Sequence, residues 1–230
     1  MTGEAEVEVG VRFVHVDEAL AVIDKPSGIV VHPGWAQDEG GLVRQVREAL
    51  GRPVFPAHRL DRSASGLVIF ALSGACAATV GRAFAEGQVE KRYLALVRGH
   101  PPADSVIDHP IPAKEDGPRV PAQTRVRLLG TWGRYALCEA QPRTGRLHQI
   151  RRHLKHIACP IIGDVNYGKG EHNRLFRAQH GLHRLALHAF GLQLAHPVTG
   201  APLRLCAPPS GSFADCLRAI GLWDAALGVM

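Results

Sequence analysis

Residues 67–72, Leu-Val-Ile-Phe-Ala-Leu, form an unbroken apolar run with β-branched and aromatic members. With no polar position to turn toward water, such a run predicts a strand buried on both faces. The ten residues before it, Ala57 to Gly66, are polar, crowded with charge and close in Ser-Gly, which predicts a loop at the strand's entrance. Within that loop Asp61 stands close to Arg59 and Arg62. A carboxylate at the mouth of a core strand is costly to bury without a cationic partner, so Asp61 is a candidate active-site residue. An ion pair that only ties loop to strand accounts for the same residues equally well.

Around this centre the pattern alternates between strands and a few helices. Strands are expected over residues 11–16 and 19–24, joined tightly at Asp17-Glu18, and over 29–34 after the turn Lys25-Pro26-Ser27-Gly28. A helix is expected from the spacing of Leu42, Val43, Val46 and Leu50, with Gly51 as its stop, and another over 74–86. Residues 91–99 read as a strand with Tyr93, Ala95 and Val97 on one face. Residues 100–121 read as a loop excursion with a short strand at 105–108, followed by a strand pair over 123–129 and 134–140. Leu147, Ile150, Leu154 and Ile157 give an apolar stripe for a helix over 144–158, capped by Thr144. Arg146 and His153 fall on one shoulder of that stripe and Arg151 on the other, while Gln149, Arg152, Lys155 and His156 point away. Residues 165–179 read as a polar basic loop, 184–194 and 203–206 as strands, and 213–222 as a terminal helix. Mostly hairpin-length links and no linker predict a single α+β domain over residues 11–230, a mainly antiparallel mixed sheet flanked by helices and loops, behind a frayed tail of residues 1–10.

The charge is not evenly spread. Residues 141–191 hold nine Lys/Arg against Asp164 and Glu171, so this segment alone accounts for the chain's net charge of +6. A basic segment on a neutral body is the footprint of a polyanion site; a solvated basic surface is the plainer alternative. No run approaches the ~18 apolar residues of a membrane span. The acidic start lacks the order of a secretory signal, so a cytoplasmic location is expected. The five scattered cysteines predict free buried thiols. P-loop, dinucleotide and Gly-x-Ser-x-Gly fingerprints are missing. His148, His153, His156 and Cys159 lie close together without a metal-site spacing, so no metal is expected.

An aspartate at a strand mouth, a strand bearing Tyr93 and a basic amphipathic helix are what remain. His58-Arg59-Leu60-Asp61 with Ser65-Gly66, then Lys91-x-Tyr93-x-Ala95, then Thr144-Gly145-Arg146-x-His148-Gln149-Ile150-Arg151-x-His153 resemble the three motif blocks of RluA-type pseudouridine synthases. Lys25-Pro26-Ser27-Gly28 and Leu187-His188-Ala189 resemble the flanking blocks, so the resemblance runs in order from about residue 11 to residue 208. The stretch from Lys155-His156 through Pro160-Ile161-Ile162-Gly163-Asp164 to Gly181-Leu182-x-Arg184-Leu185 is similar in particular to the TruC branch. Departures are Ala64, where the family has Thr, and Cys159 and Tyr167, where histidines are common in that branch.

The resemblance implies the pseudouridine synthase fold without an added S4 RNA-binding module. It implies a cofactor-free isomerisation of uridine in transfer RNA, at position sixty-five of the T stem. It assigns the glycosidic-bond chemistry to Asp61, as nucleophile at C1′ or base at C2′, and stacking on uracil with help at the C5 proton to Tyr93. Arg146 becomes the basic partner of Asp61, and Arg59 the side chain that enters the stack when the base flips out. Arg62, Arg151, Arg152, Lys155, Lys169 and Arg174 are the expected RNA contacts, and the expected state is a monomer without membrane association. A relative acting on ribosomal or several RNAs, and an RNA-binding or folding protein without catalysis, are the alternatives.

Overall fold

The computed structural model describes residues 10–32, 41–113 and 117–230. The expected tail and the end of the expected third strand therefore lie largely outside the described residues. The strands are β1 (Phe13–Val16), β2 (Leu20–Lys25), β3 (Phe55–Pro56), β4 (Ser65–Ala71), β5 (Glu90–Arg98), β6 (Asp104–Asp108), β7 (Ile111–Pro112), β8 (Arg119–Val120), β9 (Gln123–Trp132), β10 (Tyr135–Pro142), β11 (Leu187–Ala195) and β12 (Pro202–Cys206). The helices are α1 (Leu42–Leu50), α2 (Gly74–Ala85), α3 (Gln149–His156), α4 (Gly170–His180), α5 (Gly211–Ala219) and α6 (Trp223–Leu227).

One sheet runs β1-β2-β4-β11-β5-β10-β9-β6, with β12 added to β11 and β3 to β4; β7 and β8 make a separate hairpin. Its long ladders are antiparallel, and of these β9 and β10 are joined by a hairpin-length link while the β2–β4 and β5–β10 ladders pair strands distant in sequence. At the centre β11 instead meets β4 in parallel, through His188 opposite Ser65 and Ala189 opposite Gly66. That approach requires glycine. Gly66 has φ +110°, and a Cβ there would lie 2.2 Å from the Ala189 carbonyl oxygen.

Strand β4 is buried along its whole length. Val68 and Phe70 join the larger core with Ile23 of β2 and Leu42 and Val46 of α1. Leu67, Ile69 and Ala71 face the smaller core with Val22 and the α2 residues Cys76 and Val80. At about 1.5–3 kcal/mol for each large aliphatic or aromatic side chain buried, this strand is a stiff support for whatever precedes it.

Four expectations are corrected. Residues 29–32 are not a strand, because the carbonyls of Val30 and Val31 accept from the amides of Leu42 and Val43 at the start of α1. The helix expected over 144–158 is only α3. His148 takes a left-handed conformation at φ 53°, and the Gln149 side chain folds back to take the Thr144 hydroxyl and the Arg146 amide. Gln149 and His153 are consequently buried rather than outward or on a shoulder, and Leu147 is exposed. Residues 165–179 are not all loop, since α4 occupies most of their second half. Its buried face is His172 and Phe176, too narrow an apolar pattern to stand out in a polar stretch. Among the described residues the cysteines are unpaired, and Cys206 is exposed.

Candidate active site

A cleft of about 740 Å³ opens where β4 and β11 begin. Its walls come from the loop before β4 (His58, Arg59, Asp61, Arg62), the turn after β2 (Ser27, Gly28), the entrance to α3 (Leu147, His148, Arg151) and Arg184. Asp61 has a quarter of its side chain exposed.

The loop carrying Asp61 is strapped from one side by the turn after β2. The Gly28 amide donates to the Arg62 carbonyl at 2.8 Å, Arg62 Nε donates back to the Gly28 carbonyl, and Ser27 Oγ donates to the Ser63 carbonyl at 2.7 Å. Beneath them Lys25, fully buried, gives its ammonium to the carbonyls of Pro26, Ile29 and Arg62. Burial, with the Arg184 charge nearby, pulls the Lys25 pKa down to about 7 against the opposing pull of Asp61 and Asp24. From below, Arg184 Nη2 donates to Ser65 Oγ at 2.7 Å, and Ser65 Oγ donates on to His188 Nδ1 at 2.7 Å. His188 Nε2 then donates to the Ala207 carbonyl, which fixes its tautomer. Burial holds His188 down at about 4, so it is a neutral link.

Across the cleft, Arg151 is the partner of Asp61. Its Nη1 donates to Asp61 Oδ2 at 2.9 Å, while Nε and Nη2 grip the two oxygens of Asp164 at 2.7 and 2.9 Å. Asp164 is buried and also accepts the amides of Asn166 and Tyr167. Burial alone would raise its carboxyl; Arg151 and those amides overcome this and hold it below the usual range. One guanidinium is thus clamped in a fork by one carboxylate and presents its remaining arm to the other.

This corrects two expected roles. Arg146 lies before α3, exposed, with its Nε 3.4 Å from the Pro121 carbonyl, and does not pair with Asp61. Arg151 is buried between two carboxylates and is not placed to meet phosphates. The helix starts five residues later than its sequence pattern suggests, so the rotation that put Arg146 on a shoulder does not apply to it. The signal for Arg151 was its own shoulder position, and for Asp164 its place in the stretch Pro160-Ile161-Ile162-Gly163-Asp164.

Arg59 is exposed on the cleft wall. Arg62 is exposed with its Nε held by Gly28. Arg152 is half-buried, donating to Tyr167 Oη and the Pro112 carbonyl. Lys155, Lys169 and Arg174 are exposed. Tyr93 is half-buried on β5 against the larger core. Burial, reinforced by the Asp61 charge, pushes its hydroxyl above the ordinary phenol range, so it stands as a neutral phenol. His148, which the sequence shows within the third motif block and as a discarded metal ligand but without a role, faces Asp61 with Nε2 3.9 Å from Oδ2.

A mixed sheet with a paired aspartate in a cleft at its centre is the arrangement of an enzyme that works on a bound substrate with side chains. Residues 19–156 match the family model for RNA pseudouridylate synthases. The chain belongs to that family, in its RluA-type division, and is a pseudouridine synthase, an isomerase.

Among curated proteins it is similar to the tRNA pseudouridine synthase C of Vibrio cholerae, at 41% identity covering 84% of this chain and 88% of the relative. The protein of that name from Salmonella typhimurium is 37% identical, covering 91% and 90%. Among solved structures, Human RNA Pseudouridylate Synthase Domain Containing 4 superimposes with a TM-score of 0.75 at 29% identity, covering 91% of this chain and 93% of that one.

Proposed function

We propose that this chain converts a uridine of transfer RNA into pseudouridine, at position sixty-five of the T stem, with Asp61 acting directly on the ribose. The observation that carries the chemistry is the Asp61 carboxylate, a quarter exposed in the cleft with Oδ2 held by Arg151 at 2.9 Å. The names of the relatives at 41% and 37% identity support transfer RNA as substrate, and the TruC-like stretch of residues 155–185 supports the position.

In this reading the target nucleotide is flipped into the cleft and Arg59 takes its place in the stack. Asp61 then either bonds to C1′ or takes the 2′ proton, the N1–C1′ bond breaks, the uracil turns, and C5 joins C1′. Tyr93 backs the uracil with its ring. Lys155, Lys169 and Arg174 meet phosphates, aided by the outer faces of Arg62 and Arg152. The enzyme works as a cytoplasmic monomer.

Asp61→Asn tests the chemistry. The variant is expected to bind transfer RNA as the wild type does and to release no tritium from C5-labelled uridine. Turnover by that variant would sink the assignment. Carbodiimide primer extension on RNA from a deletion strain tests the target: loss of a signal confined to ribosomal RNA would move the substrate there.

A further inference from the structure

His148 has a backbone conformation that side chains larger than glycine seldom adopt, and it does so on the cleft wall. A φ of 53° in a histidine costs free energy and persists where surrounding contacts hold it. Those contacts are visible. Tyr167 Oη lies 3.1 Å from His148 Nδ1, and their rings meet edge to face. Arg152 Nε, which can only donate, lies 3.0 Å from the same Tyr167 oxygen. The Tyr167 ring is boxed by cations, with Arg151 at 5.0 Å, Lys155 at 5.7 Å and Arg152 at 5.8 Å from its centroid. With Arg152 donating to Tyr167, the tyrosine hydroxyl proton is free to go to His148 Nδ1. The histidine proton then sits on Nε2, the atom facing Asp61 across 3.9 Å.

This is a directed chain of donors from guanidinium to phenol to imidazole, ending in an N–H that points into the cleft beside Asp61. Successive hydrogen bonds in such a chain polarise one another, which sharpens the last donor. The groups facing the imidazole are Asp61, Arg151, Arg152 and Asp164. Burial, with the two guanidiniums, outweighs the two carboxylates and holds the ring below its ordinary pKa, so the chain operates with a neutral histidine.

The chemistry proposed for Asp61 creates a need for such a donor. When the N1–C1′ bond breaks, its electron pair goes to N1 and the uracil becomes an anion with charge spread over N1 and the carbonyl oxygens. Asp61 satisfies the ribose, by bonding at C1′ or by taking the 2′ proton that it later returns. The anion lasts until C5 bonds to C1′ and the C5 proton is passed to N1. Arg151 has committed its fork to two carboxylates.

We propose that His148 donates a hydrogen bond from Nε2 to a carbonyl oxygen of the uracil as it leaves the ribose, with Tyr167 and Arg152 as the positioning residues that fix its tautomer. No proton is transferred in this step; the donor stabilises charge that is absent from the bound uridine, which is where a fixed dipole accelerates a reaction. The inference rests on the reading of Asp61 as the group acting at the ribose.

The test pairs two substitutions with two substrates. His148→Asn suits the left-handed backbone but is too short to place a donor where Nε2 lies, whereas His148→Gln extends an amide donor to about that position. Each is assayed in single turnover on transfer RNA carrying uridine or 5-fluorouridine at the target. Bond cleavage is read from the nucleosides in digests. Fluorine makes uracil a weaker base and a better leaving group. His148→Asn is expected to slow cleavage about 100-fold on uridine RNA and about 10-fold or less on 5-fluorouridine RNA, with RNA affinity and melting temperature unchanged. His148→Gln is expected to recover most of the loss, and Tyr167→Phe to lose several-fold with the same substrate preference. An equal loss on both substrates, or none, overturns the inference. Asp61→Asn runs alongside: activity there removes the reading underneath, while a dead Asp61→Asn beside a fully active His148→Asn removes this inference alone.

Discussion

Arg151 is the residue on which the site turns, because it satisfies two acids at once. Asp164 is fully buried and would be left with an unmatched charge if the guanidinium were lost, a defect that typically costs about 3–5 kcal/mol. Asp61 is partly solvated and loses less stability but more function, since nothing then fixes Oδ2. A lysine keeps the charge and cannot span both carboxylates. Arg151→Lys is therefore expected to cut the single-turnover rate by at least 100-fold, with RNA affinity kept, and to lower the melting temperature measurably. An Arg151→Lys enzyme with wild-type rate would show that the fork is dispensable. Arg146→Ala, by contrast, is expected to leave the rate within a few-fold. At this scale the sequence showed which aspartate needed a partner and misplaced that partner by five residues. The partner was assigned to Arg146 by resemblance; helical spacing put both arginines on shoulders and could not choose, and the left-handed turn at His148 takes Arg146 out of the helix.

At the scale of elements, the strands were the most legible part. β4 is recognisable as doubly buried from its composition alone, and β2 and β5 fall where strands were expected. What could not be read was the meeting of β4 with β11, since a parallel contact two residues long has no period of its own. Its one local mark is Gly66. A methyl group there meets the Ala189 backbone in a conformation already unfavourable to alanine, so Gly66→Ala forces the strands apart. The expected outcome is a chain that is insoluble or shows no cooperative melting. A soluble variant with a native-like transition would mean that the contact yields without cost. Helix α4 was missed for the opposite reason: its polarity resembles a loop, and its helical character comes from docking Phe176 and His172 into the core.

For the whole molecule, buried imidazoles set the response to acid. Burial first, with Lys91 adding to it, lowers His58 to about 4, and burial with Arg184 does the same for His188. Both pKa values lie below the ordinary 6.5, so both residues favour the folded state most at a pH above 6.5. That contribution is lost as pH falls from 6.5 through 4. Each proton steepens the fall by about 1.4 kcal/mol per pH unit. Chemical denaturation is expected to show stability dropping across pH 6.5 to 4 with a slope of at least two protons, since other histidines held down by burial add to it. His188→Gln should remove about one of them, and an unchanged slope would acquit His188.

The chain of contacts beneath Asp61 also sets when the enzyme can exist. The aspartate loop needs Lys25 and Ser27 from the start of the chain, Ser65 leans on His188, and His188 leans on the Ala207 carbonyl. Parts made early in translation thus wait on parts made more than a hundred residues later. A nascent chain that has displayed Asp61, Tyr93 and Arg151 still lacks the post that steadies the loop, so activity is expected only once Ala207 has emerged.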